Sequence, residues 1–200
     1  MSISANAVKE LREKTNAGMM DCKKALNECN GDMEKAVDWL RQKGLSVAAK
    51  RADRESTEGQ VGCYIHGGGK LGVMVEVNCE TDFTGKTEEF TQFVRDLAMQ
   101  IAATNPLCVS AEDMPATVLQ REKDIYIAQA QESGRPEKVW DKIIDGKMQK
   151  FVSESCLISQ AFVKDPDKTI SDLLNEMRAK TGENVQIRRF SRFVLGEKAN

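Results

Sequence analysis

The sequence predicts an α+β protein: a small three-helix module at the N-terminus, then a core of antiparallel sheet covered by helices. Three observations predict it. Apolar residues recur at spacings of three and four through the first 44 positions. The period switches to two at residue 59. Helical spacing returns near residue 86, and a β-rich segment closes the chain at Val185–Leu195.

Within the module, Val8 and Leu11, with Arg12 beside them, fall on a helical period, which Asn16-Ala17-Gly18 breaks. Met19, Cys22, Ala25, Leu26 and Cys29 form the stripe of a second helix, ended by Asn30-Gly31. Asp32 suits the N-cap of a third, because its carboxylate can accept a free backbone N–H. Met33, Ala36, Val37 and Leu40 are that helix's apolar face, and Gly44 is its expected C-cap. A unit of about 40 residues is at the lower limit for independent folding and cannot enclose a deep active site. Its natural role is docking. The predicted divisions are 1–45 for the module, 46–58 for a linker and 59–200 for the α+β core. Lys50, Arg51 and Arg54 in the linker are offset by Asp53, Glu55 and Glu58, which favours a solvated connector over a nucleic-acid patch.

In the core, Gly59–Ile65 reads as a strand and His66–Lys70 as a glycine-rich turn. Leu71, Val73, Val75, Val77 and Cys79 then alternate with Gly72, Met74, Glu76 and Asn78, the pattern of a hairpin with one buried face. A helix is expected over 86–104, with Phe90, Phe93, Val94, Leu97, Ala98 and Ile101 on its apolar side, stopped by Asn105-Pro106. Further helices are expected at 115–133, from Pro136 to about Lys147, and from a capping sequence at Thr169–Asp172 to Gly182. The terminal β segment is expected to pair with the hairpin.

Composition excludes several functions. The net charge is −2, from 29 basic and 31 acidic residues. A duplex-binding protein needs a basic excess to displace counterions from phosphates. No apolar run approaches the ~20 residues that span a bilayer. Met1–Asn6 has neither a basic start nor an apolar stretch, so a cytoplasmic location is expected. The six cysteines form no C-x-x-C pair, and the chain has one histidine, so free thiols in a reducing compartment are expected and no metal site.

Two strings resemble catalytic motifs and fail on context. His66-Gly67-Gly68-Gly69 matches an esterase oxyanion-hole string, but the chain lacks G-x-S-x-G and any second histidine. Gly67-Gly68-Gly69-Lys70 is followed by Leu71 and a strand, where a phosphate loop needs Ser/Thr and a helix. No cofactor is expected. More informative is Glu76–Phe83, at the junction of a strand and a helix. Phe83 there could be a buried turn residue or a projecting anchor, with Asp82 as a charge aimed at a partner.

These residues carry a resemblance to a known family. Val8–Thr15 running on through Ala17–Leu26, Glu76–Phe83, Tyr64–Gly67 with Gly72-Val73, and Gly182–Phe190 together resemble the elongation factor Ts family in its short bacterial form. The resemblance implies that the first module is ubiquitin-associated-like and docks on the nucleotide-binding domain of elongation factor Tu through Arg12, Met19 and Met20. It implies that Thr81, Asp82, Phe83 and Thr84 form the exchange element, intruding beside the partner's Mg²⁺ site. It places His66 on a hairpin that touches a second domain of the partner. It further implies guanine-nucleotide exchange without catalysis, binding to the GDP-bound partner and better to the nucleotide-free one, and homodimerisation. Where the family often has Val-Ala, this chain has Thr84-Gly85, which is expected to loosen the entry to the following helix. Where it has Gln-Pro-Phe, this chain has Gln160-Ala161-Phe162, a difference confined to a local turn.

Overall fold

The computed structural model describes residues 3–15, 17–51, 54–134 and 136–197, with side chains from 45 to 51 excepted. The readings placed on Met1-Ser2, on Asn16 and on the side chains of Lys50, Arg51 and Asp53 lie outside the described residues. The fold is α+β, with three N-terminal helices followed by antiparallel sheet and helices. The chain forms two compact units. One comprises 1–60, 77–93 and 172–186, the other 61–76, 94–171 and 187–200.

The first unit begins with α1 (Ala5–Thr15), α2 (Met19–Glu28) and α3 (Met33–Arg51). Val8, Leu11, Cys22, Ala25, Leu26 and Ala36 make one buried cluster, ringed by Met33, Val37, Trp39 and Leu40. Asp32 caps α3 as expected: the Lys35 N–H donates to its Oδ1 at 3.1 Å. Asn30 and Gly31 take positive φ of 53° and 86° between α2 and α3, and the Gly31 N–H returns to the Leu26 carbonyl.

The expected stop at Gly44 is corrected, because α3 runs on to Arg51. A glycine inside a helix costs about 1 kcal/mol relative to alanine, and the Ala48-Ala49-Lys50-Arg51 run that follows favours helix strongly enough to carry it through. Met19 also departs from its place in the expected stripe. It opens α2 on the solvent side, while Cys22, Ala25 and Leu26 keep the buried face.

The main sheet has the order β1-β2-β5, from Glu58–His66, Leu71–Cys79 and Gln186–Val194. The terminal segment therefore pairs with the hairpin, as expected. Val73, Val75, Val77 and Cys79 of β2 are all buried, following the period of two. A four-residue helix, α4 (Asp82–Gly85), separates β2 from α5 (Glu88–Thr104), whose expected apolar stripe is buried throughout. In the first unit, α8 (Ile170–Thr181) ends at Gly182, with φ of 74°, and its Lys180 pairs with Glu89 at 3.0 Å.

In the second unit, α6 (Ala116–Glu132) and α7 (Trp140–Ser155) form a helical hairpin. The second of these is longer than the expected 136–147. A 3₁₀ turn occupies Glu137–Val139, and Phe151 and Val152 continue the apolar side of α7. A short antiparallel pair, β3 (Ala161–Phe162) with β4 (Asp165–Thr169), was not foreseen. Its organiser is a buried amide. Gln100 donates to the Ala161 carbonyl at 3.1 Å and accepts from the Val163 N–H at 2.9 Å.

The tightest backbone approach lies in the first unit. Gly59 has φ of 132°, and a Cβ there would stand 2.1 Å from the Val77 carbonyl oxygen. Gly59→Ala is expected to cost about 2–4 kcal/mol of stability, since backbone cannot swing aside. Urea denaturation monitored by circular dichroism measures the loss.

Candidate functional site

The segment Thr81–Gly85 is held by an anchor that its own sequence does not contain. Glu183, just beyond α8, accepts four hydrogen bonds from this segment and the residue before it: the Glu80 N–H at 2.9 Å, the Thr81 N–H at 3.1 Å, and the Thr81 and Thr84 hydroxyls at 2.6 Å each. The clasp is reciprocal. Glu80 accepts the Asn184 N–H at 2.6 Å, and Asn184, itself buried, donates its amide to the Arg54 carbonyl at 2.8 Å. Burial alone would raise the Glu183 carboxyl. The hydrogen bonds from Thr81, Thr84 and the backbone outweigh it and hold the group below the ordinary glutamate value.

The helix itself is made locally. Thr81 is extended, with φ −127° and ψ 150°, and its hydroxyl accepts the Thr84 N–H at 3.3 Å. That is N-cap geometry, with Asp82 in the first turn, where a negative charge suits the helix dipole. Gln60 donates to the Gly85 carbonyl at 2.6 Å and to the Thr91 hydroxyl at 2.9 Å. A Cβ on Gly85 would lie 3.3 Å from the Gly59 Cα and 3.5 Å from the Cys79 sulfur. The Thr84-Gly85 substitution therefore does not loosen this entry. Thr84 is buried with its hydroxyl on Glu183, and Gly85 lets the short helix settle on the backbone of β1.

What this arrangement presents outward is Phe83, 78% exposed. An exposed aromatic ring normally gains little from being rigidly displayed, so its rigid mounting is notable. Asp82 is also exposed. Lys86 hydrogen-bonds it at 2.6 Å and holds its carboxyl below the usual carboxylate range, so it is charged at neutral pH. The four predicted residues thus separate. Asp82 and Phe83 face outward, whereas Thr81 and Thr84 build the mount.

The other predicted residues lie elsewhere. Arg12 is exposed on α1, and Met19 and Met20 are 60% and 75% exposed at the start of α2. In the second unit, His66 ends β1. Its Nδ1 is 2.9 Å from the Tyr64 hydroxyl, and the two rings stack. The turn after it uses Gly67, Gly68 and Gly69, all with positive φ. Among the described residues no group of three or more His, Cys, Asp or Glu side chains is placed to hold a metal ion.

Glu183 and Gln60 were not identified as site residues from the sequence. Glu183 sits 102 positions from Thr81, and no local periodicity reports such a pairing.

The comparisons with known proteins agree along the whole chain. The family model described as Elongation factor TS matches residues 3–197. A protein of Desulfosudis oleivorans named Elongation factor Ts is 63% identical over 196 residues, covering 98% of this chain and 99% of the relative. Proteins of the same name from Syntrophobacter fumaroxidans and Caldanaerobacter subterraneus are each 60% identical, covering 98% of both chains.

The Glu183 anchor carries a pH dependence. Because its folded-state pKa is depressed, its contribution is complete above the ordinary glutamate range and is lost as pH falls through the folded value. Glu183→Gln is expected to cost about 1–3 kcal/mol at neutral pH. The difference from the parent protein should shrink as pH falls below the ordinary glutamate range and close only below the depressed folded value. Urea titrations over a pH series test both statements.

Proposed function

The chain belongs to the elongation factor Ts family, and from that premise we propose that it is a guanine-nucleotide exchange factor for elongation factor Tu in the cytoplasm. It binds the GDP-bound partner, promotes GDP release and holds the nucleotide-free form. It makes and breaks no covalent bond. The observation that carries this reading is Phe83, an exposed ring on a helix too firmly tied to move away when pressed.

The exchange element is Thr81-Asp82-Phe83-Thr84. Mg²⁺ demands near-ideal octahedral geometry, so small displacements of its surroundings weaken it and then the diphosphate it neutralises. A rigid ring driven beside that site supplies the displacement, and Asp82 adds a charge unfavourable to the phosphates. The thermodynamics are those of linked binding. A factor that binds the empty state more tightly than the GDP state must weaken GDP by the same ratio. Rigidity matters because energy spent on bending the wedge is not available for deforming the partner.

Residues 1–45 form the docking module, with Arg12, Met19 and Met20 as contacts. Two adjacent exposed methionines are adaptable apolar contacts. His66, set on Tyr64 at the hairpin tip, makes a secondary contact with another domain of the partner. The working form is a homodimer. In the second unit, Cys63, Ile65, Met74, Phe193 and Leu195 line one shallow concavity, and Ile65, Met74, Phe193 and Leu195 are exposed apolar residues. Such a patch suits a second copy of the chain. No nucleic acid or membrane takes part.

The competing reading is a simple interaction module that works through its first three helices alone. The two readings separate on Phe83. Phe83→Ala is expected to slow release of a fluorescent GDP analogue from elongation factor Tu by roughly tenfold or more, while changing overall affinity by no more than about threefold. Stopped-flow release and equilibrium titration give the two numbers, and equal losses in both would make the ring an ordinary anchor. Asp82→Ala should lose less when Mg²⁺ has been chelated beforehand. Phe193→Glu is expected to shift the protein from dimer to monomer in analytical ultracentrifugation.

A further inference from the structure

Cys108 and Cys156 face one another inside the second unit, at the base of the α6–α7 hairpin. Cys108 lies between α5 and α6, and Cys156 immediately follows α7. Their segments run side by side. The Leu107 N–H donates to the Ser155 carbonyl at 2.8 Å, the Leu157 N–H to the Cys108 carbonyl at 3.0 Å, and the Ile158 N–H to the Val109 carbonyl at 3.1 Å. The two cysteines form an isolated parallel bridge, and their sulfurs are 3.4 Å apart. Both side chains are buried, with Met114, against Val118, Leu119, Phe151 and Val152.

Bridge partners of this kind have Cα atoms roughly 5 Å apart, inside the span that an unstrained disulfide accepts. The sulfurs need to close by little more than about 1 Å to reach bonding distance. The backbone hydrogen bonds on either side already fix the register, so bond formation requires side-chain adjustment and no rearrangement of the chain. Cys63, by contrast, is exposed.

We propose that Cys108 and Cys156 form a dithiol site that a hydroperoxide converts into an intramolecular disulfide. Cys108 retains some exposure and Cys156 has none, so Cys108 is the sulfur a small oxidant meets first. Its thiolate attacks the terminal peroxide oxygen. The O–O bond breaks, the alcohol or water departs with a proton from solvent, and Cys108 becomes a sulfenic acid. Cys156 then attacks the Cys108 sulfur. The S–O bond breaks, hydroxide leaves as water with the Cys156 proton, and the S–S bond forms. Two thiols are oxidised by two electrons, and one peroxide is reduced to an alcohol and one water. The resolving sulfur is already in contact, so the sulfenic acid has no time to oxidise further.

The same burial sets the threshold. Burial first, and the adjacent Cys156 sulfur second, push the Cys108 thiol up to about 12. Little thiolate exists at neutral pH, so the pair stays reduced in a reducing compartment and responds to sustained peroxide only. Once formed, the bond joins positions 48 residues apart and closes the loop that contains α6 and α7.

The test uses the full-length protein in a Cys63→Ser background, exposed to hydrogen peroxide, quenched, unfolded in the presence of an alkylating agent and mapped by peptide mass spectrometry. The expected product is a Cys108–Cys156 cross-linked peptide lacking two hydrogens, with Cys22, Cys29 and Cys79 alkylated. It should form faster at alkaline pH. The thermal midpoint should rise by roughly 5–10 °C and return with dithiothreitol. In Cys156→Ser, dimedone should trap a sulfenic acid at Cys108 and the midpoint should not rise. Recovery of Cys108 and Cys156 as alkylated thiols after other cysteines have been oxidised would overturn the proposal. So would a cross-link between any other pair. Should the serine variant fail to fold, the cross-link map of the Cys63→Ser protein decides alone.

Discussion

A single carboxylate, that of Glu183, organises the region on which the proposed activity turns. Strand β2 ends at Cys79, and without further support the next five residues would be an exposed loop with unpaired N–H groups. Glu183 takes two of those N–H groups and two hydroxyls at once. Charge-assisted hydrogen bonds are about twice as strong as neutral ones, which is why one side chain can fix the segment. With Thr81 held, its cap starts α4. With α4 started, Gly85 settles on Gly59 and Phe83 can point only outward. Each step depends on the one before, and the anchor arrives from a part of the chain a hundred positions away.

The fold class and most elements were legible in the sequence because they follow from local periodicity. The strict alternation from Leu71 to Cys79 and the helical stripe from Phe90 to Ile101 could satisfy one geometry each. The Asp32 cap was legible for a similar reason, being written within four residues. Boundaries failed where a local rule met a competing local preference. Gly44 should have ended α3, and the helix formers after it prevailed. The helix expected to end near Lys147 is carried by the apolar residues at 151 and 152 to Ser155.

The site was legible in its location and not in its construction. Thr81 to Phe83 drew notice as an acidic and aromatic pair at a strand–helix junction. Whether the ring was buried or displayed could not be read from spacing, because both arrangements share one sequence pattern. Thr84 and Gly85 were misread as a weak point for the same cause. A threonine and a glycine are loosening choices in isolation. Opposite Glu183 and Gly59 they are the residues that fit, since a hydroxyl can reach the carboxylate and the absence of a Cβ allows contact with backbone.

Within the second unit, the α6–α7 hairpin begins after Val109 and the chain returns beside its starting point at Ile158, the two residues being joined by a backbone hydrogen bond of 3.1 Å. Departure and return therefore share one doorway. An excursion built this way is topologically separable from its host: the chain between the two residues can be lengthened, cut back or exchanged for another helical pair without altering the path of the strands on either side. Such a doorway is where a lineage can vary the length of an arm while conserving the body that bears it, and where a foreign domain can be grafted into this scaffold with the least disturbance.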